Sequence, residues 1–271
     1  MTPTTRTVAV LIALSLTSAT LAAHDLFLKL RTFLVPPRSE VKIAVLNGSF
    51  TASEAAVGPE RLADLSLVTP EGREPMPRAL WQPTGDTTWL TLRTRHPGTY
   101  VVGAAVQPRV IELSADDFNT YLKEDGLPDV LRRREERGEM GKPARERYQK
   151  NVKALIQVGG ARSLDYETRL GYAAELVPLN NPYDAQVGDT LALWCLVDGK
   201  PIADQVVLAG GDGPAGERPM VESRCDPQGV VRFALSAPGR WFVKFIHMVP
   251  GTGRVDYESK WATLTFEVAA P

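Results

Sequence analysis

Residues 143–160 read PARERYQKNVKALIQVGG, and the period assigned to this stretch decides the fold. Pro143 suits a first helical position, where its missing N–H costs nothing and its φ is preset. Tyr148, Val152, Leu155 and Ile156 then fall at i, i+4, i+7 and i+8, an apolar stripe of helical period, and Gly159-Gly160 closes it. The spacing predicts a helix over 143–156. Upstream, Ser114 with Asp117 three residues on resembles a capping box, and Phe118, Tyr121 and Leu122 share one helical face as far as Gly126. Pro128 opens a second short helix that Gly138 ends. Its RRREER run, 132–137, mixes both signs of charge, which reads as a solvated helix face and not as a basic patch.

On either side of this region the period drops to two. Leu26, Leu28 and Leu30 alternate with Lys29 and Arg31, and Val41, Ile43 and Val45 flank Lys42. Asn47-Gly48 and Pro70-Glu71-Gly72 are turn signals. After residue 160, Asp198-Gly199 and Asp226–Gly229 turn further short strands, and WFVKFIHMV (241–249) and SKWATLTFEV (259–268) form the last two. The expected fold is mainly β. Two immunoglobulin-like or carboxypeptidase-regulatory-like β-sandwich domains, 24–113 and 161–271, flank a helical segment at 114–160.

Residues 1–23 read as a signal peptide, with Arg6 as the positive region, Val8–Leu16 as the apolar region and small residues after it. Cleavage after Ala22 keeps small residues at the recognised positions, whereas cleavage after Ala23 makes His24 the first residue; both stay open. No cysteine lies at the seam to carry a lipid, and no later run is apolar enough to span a bilayer, so the expected location is periplasmic or secreted without membrane insertion. Losing Arg6 with the leader leaves 30 basic residues against 32 acidic, a balance that offers no field for nucleic acid. Cys195 and Cys225 are the only cysteines, 30 residues apart, and an exported compartment permits them to bridge.

Nothing in the chain spells a common catalytic motif: there is no GxSxG elbow, HExxH or phosphate loop, and no enzyme is expected. Of the three histidines, His96 sits in a Pro-Gly turn. His247 shares a strand face with Trp241, Val243 and Phe245, near Met248, Asp256 and Glu258 at a hairpin end. Imidazole with carboxylate suits nickel, cobalt or zinc, and imidazole with thioether suits copper(I); a core histidine bonded to backbone or to Glu258 is the alternative. His24, if exposed by processing, offers an imidazole beside a free amine; otherwise it is a frayed polar residue at the start of strand one. The expected metal ligands are His24, His247 and Glu258.

Several blocks, taken in order, resemble the bacterial domain-of-unknown-function family 4198: AHD before the first strand, RERYQKNVKALIQVGG, ELVPLNNPYDAQVGD, GKPIADQVV, CDPQGVVRF and WFVKFIHMV…DYESKWATLTFEV. That family is often labelled the periplasmic component of a cobalt/nickel ABC-type transport system. The resemblance implies an exported β protein that binds a transition metal ion and partners a membrane transporter component. The family's opening His-Asp/Glu falls on His24 and Asp25, its His-Met on His247 and Met248, and its acidic-aromatic return on Tyr257, Glu258 and Trp261. The cysteine pair and the Leu26-Phe27-Leu28 opening depart from the family pattern. The competing expectation is a non-catalytic structural or protein-interaction module of the cell envelope.

Overall fold

The computed structural model describes residues 24–270; the expected signal peptide and its two cleavage points lie outside them. Eighteen strands follow along the described chain. The first nine are β1 (Asp25–Leu30), β2 (Leu34–Val35), β3 (Glu40–Gly48), β4 (Leu62–Thr69), β5 (Gly72–Pro75), β6 (Trp81–Thr84), β7 (Thr87–Arg93), β8 (Gly98–Val106) and β9 (Arg109–Leu113). Two helices, α1 (Ala115–Glu124) and α2 (Pro128–Glu136), come next, then β10 (Ala144–Val158), β11 (Ala174–Pro178), β12 (Thr190–Val197) and β13 (Lys200–Pro201). The last five strands are β14 (Val206–Gly213), β15 (Gly216–Arg224), β16 (Val230–Ala234), β17 (Gly239–Pro250) and β18 (Tyr257–Val268).

The architecture is mainly β and sandwiched, as expected. A sheet in the order β15-β14-β17-β18-β10-β8-β4-β5 forms the middle layer, with β2 and β9 also paired to β10. One of its faces is covered by the sheet β1-β3-β7-β6; the Thr265 hydroxyl donates to the Leu28 carbonyl across that contact, 2.6 Å. The other face is covered by the sheet of β11, β12, β13 and β16, to which Lys153 reaches through Glu175 on β11. One apolar cluster runs through all three layers, from Leu28 and Ile43 through Leu155 to Leu193 and Phe233.

α1 and α2 form where the caps place them. The Ser114 hydroxyl accepts the Asp117 N–H at 3.2 Å, and Gly126 and Gly138 take positive φ just past the two helix ends. Phe118, Tyr121 and Leu122 bury against Ile246, Met248 and Trp261.

The expected helix over 143–156 is instead strand β10, parallel to β18 and antiparallel to β8 and β9. A strand in the middle of a sheet and covered on both faces loses its period-two signature, because both sets of side chains are buried. Residues 150–158 are all buried, so any apolar subset could be read from them, and one happened to fit a helix. The middle sheet draws β4, β5 and β8 from before residue 114 and β14, β15, β17 and β18 from after residue 160.

Candidate functional site

Strand alternation carries β10's even-numbered side chains, Glu146, Tyr148 and Lys150, to the face that also bears Ser259 and Trp261 of β18. Glu146, Tyr148, Lys150 and Trp261, with His24 before β1 and the segment between β3 and β4, line a cavity of about 430 Å3. Its apolar wall includes Leu26, Val57, Val106 and Ile111.

The cavity's polar groups are under unusual constraint. Glu146 is 1% exposed. Its Oε1 accepts hydrogen bonds from the Tyr121 hydroxyl, at 3.2 Å, and from Ser259, whose hydroxyl also accepts from the Trp261 indole, while Oε2 has no partner. Burial raises the carboxyl's pKa, opposed by those hydrogen bonds. Lys150 is also buried; its ammonium donates to the His24 carbonyl and lies 5.0 Å from the Trp261 ring centroid. Burial pushes its pKa down to about 8. Arg61 gives one N–H to the Gln107 carbonyl, at 3.0 Å, but its buried Nε has no partner.

At the rim, His24 Nε2 stands 3.5 Å from Glu54 Oε2; the carboxylate is largely exposed and the imidazole largely covered. Of the three expected metal ligands, only His24 lines this cavity. The sites of His24 and His247 are separate, which corrects the shared site expected from sequence. The reason is strand parity. On β17, Lys244 points to Asp25, beside His24, and His247 lies three residues on, an odd step that turns it to the opposite face of the sheet. There its Nδ1 meets Gln205 Oε1 at 3.2 Å, and Lys260 sits directly across the ladder. Burial and the Lys260 ammonium lower the imidazole's pKa, so the surroundings disfavour positive charge at this position. Met248 points the other way, into the helix cluster, so it offers His247 no thioether. Glu258 is held by Arg147, at 2.7 Å, and by the Thr252 hydroxyl, at 3.0 Å, and these bonds lower its pKa. His96 is the exposed turn residue expected. Among the described residues no group of three or more His, Cys, Asp or Glu side chains is placed to hold a metal ion.

Sequence reasoning passed over two buried charge clusters. Lys244 donates to both Asp25 and Asp125, the latter at 2.7 Å, and ties β17 to β1 and to the end of α1. Lys153 pairs with Glu175 at 3.0 Å, both residues 2% exposed. A signal existed for the first: Lys244 is a lone charge inside the apolar run WFVKFIHMV. Cys195 and Cys225 are both buried and unbridged. Burial, and then the neighbouring Cys225 thiol, raise the Cys195 pKa, while Cys195 lowers that of Cys225.

Among the described residues no helix is long and apolar enough to cross a membrane. No curated protein matches the chain. A solved tetra-tandem repeat from the extending region of a large adhesion protein is similar at 10% identity and a TM-score of 0.24, covering 92% of this chain, which spans 50% of that structure. The D0–D1 domain of intimin is similar at 11% identity and a TM-score of 0.21, covering 88% of this chain and 95% of its own. The model of the domain of unknown function DUF4198 matches residues 21–249, and the chain belongs to that family.

Proposed function

We propose that this is an exported protein that binds a transition metal ion, nickel, cobalt or copper, and hands it to a membrane transporter component, with residues 1–23 removed as a signal peptide. The observation that carries this reading is the His24–Glu54 pair at the cavity rim, 3.5 Å between Nε2 and Oε2. Two ligands at the usual 2.0–2.1 Å from one tetrahedral ion lie about 3.3 Å apart, so this pair needs almost no movement to share one. His247 and Glu258 do not fit such a site, because Gln205, Lys260 and Arg147 already occupy their polar ends or oppose a cation there.

Calorimetric titration of the processed protein with each metal tests the proposal. His24→Ala and Glu54→Ala should each weaken binding by at least about tenfold, since loss of even an outer-shell partner costs 10–100-fold. His247→Ala and Glu258→Gln should change it little. Absence of binding at micromolar metal, or affinity indifferent to both rim substitutions, would overturn the proposal.

Export has its own test in the cysteines. In an oxidising compartment the facing thiols of Cys195 and Cys225 should bridge, and periplasm-derived protein should then resist alkylation until it is reduced. The bridge should add on the order of 3 kcal/mol by loop-entropy arguments. Two freely alkylated thiols in unfolded, unreduced material would rule it out.

A second reading is a non-catalytic interaction module. It is favoured by β15, an edge strand of the middle sheet that exposes Met220 and Val221, each more than half accessible. A metal-free outcome in the titration would leave this one standing.

A further inference from the structure

We infer that the 430 Å3 cavity behind the His24–Glu54 rim binds a small zwitterion with an apolar body, a free α-amino acid or its equivalent, with its ammonium on Glu146 and its carboxylate on Arg61. The volume lies in the range of small-molecule sites and is far more than a single ion needs. Two of the residues lining this space each carry a buried polar atom without a partner, and the two are of opposite kind: Glu146 Oε2 is an acceptor and Arg61 Nε a donor. Native proteins leave few such atoms, because each carries a desolvation cost. A ligand with one cationic donor and one anionic acceptor matches the carboxylate of the one residue and the guanidinium of the other.

The charge balance points the same way. Glu54, Glu60 and Glu146 line the cavity with Arg61, Arg109 and Lys150, three acids against three bases. A bare dication meets three positive groups there and a dianion three negative ones, whereas a neutral zwitterion can face each set with its opposite charge. The wall of Leu26, Val57, Val106 and Ile111 supplies an apolar surface for the rest of the molecule. Glu146 is held by Tyr121 and Ser259, so the carboxylate is positioned at the cavity wall before any ligand arrives.

This site stands apart from the metal reading and can be tested without metal. EDTA-treated processed protein is titrated with L-leucine, L-phenylalanine and L-histidine. Two half-ligands of leucine are titrated alongside: 4-methylpentanoate, which lacks the amine, and isoamylamine, which lacks the carboxylate. At least one amino acid should bind, and the half-ligands should bind at least about tenfold more weakly, the cost of leaving a charged group unpaired. Glu146→Gln and Arg61→Gln should each weaken amino-acid binding by about tenfold or more on the same ground, while His247→Ala should not change it. Circular dichroism checks that the variants fold, and Arg61→Gln, at a position only partly buried in the native chain, keeps the test open if Glu146→Gln does not. The inference is overturned if no amino acid binds, if either half-ligand binds as well as leucine, or if both substitutions leave affinity unchanged. Nickel titration of the same variants separates the two proposals. Amino-acid binding without nickel binding removes the metal reading alone, and the reverse removes the zwitterion alone.

Discussion

Lys153→Met should lower the free energy of unfolding by about 3–5 kcal/mol, because it strands a carboxylate in the core. Lys153 and Glu175 are each 2% exposed and meet at 3.0 Å between the middle sheet and the β11 sheet. Glu175 also accepts the backbone N–H groups of Leu170, at 2.6 Å, and Gly171, at 3.2 Å, so it cannot turn away when its partner is lost. The double variant Lys153→Met/Glu175→Gln removes both charges and keeps one of the two oxygens that accept those N–H groups, enough for the shorter bond, from Leu170. It should recover most of the loss, since a buried ion pair is costly to break and much less costly to replace by neutral groups. Urea unfolding of the three proteins measures this. A single-variant loss of under about 1 kcal/mol, the level of an exposed pair, would show that the pair is hydrated.

The second large effect is expected at Lys244, 4% exposed between Asp25 and Asp125. Lys244→Met leaves two carboxylates facing each other with no cation and should cost about 3–5 kcal/mol near neutral pH. The loss should shrink on acidification. Burial raises the Asp125 pKa to about 6 even though Lys244 opposes the shift, against 3.8 for the ordinary side chain. Between those values the folded chain holds a proton that the unfolded chain has released. Stability from this group is therefore greatest below 3.8 and falls as pH rises through 6, by on the order of 3 kcal/mol. Lys244 behaves differently: its two carboxylates outweigh burial and raise its pKa, so its contribution is complete below 10.5 and fades only at higher pH. Melting temperatures from pH 4 to 8 should fall with pH in the native protein and run flatter in Asp125→Asn. Parallel profiles would show that Asp125 is not the group responsible.

Local chemistry was legible in alternating runs, caps and helix-ending glycines. The β1 alternation of Leu26, Leu28 and Leu30, the Ser114 cap and the glycines that end α1 and α2 all stand in the structure where the residues place them. The pairing of the last two strands was legible because they follow one another in sequence across a single short loop. β10 was not, because it is enclosed, and the candidate site was lost with it. Read as a helix, Glu146 and Lys150 are an i, i+4 surface pair of no special meaning. Read as a strand, they stand on one face inside a cavity with Trp261. His24 was found because it stands at the leader's seam. Its partner Glu54 was not, because the two meet only through the pairing of β1 with the end of β3, where Gly48 bridges Ser53. His247 does share its strand face with Trp241, Val243 and Phe245, but that face turns away from His24, and no local pattern reveals which face of the sheet the first strand covers.

The register of β10 also sets the order in which this chain can fold. Glu146 to Ala154 lie beside Tyr257 to Thr265, a parallel pairing that joins the middle of the chain to its end. Such distant partners make nucleation slow, because a long loop must close before any contact rewards it. The middle sheet stays open until its last strand emerges, and the N-terminal half cannot complete itself in advance. Under the export proposed for this chain, that delay has a use: a chain being threaded across a membrane stays loose in transit and closes only when residues 257–268 have arrived.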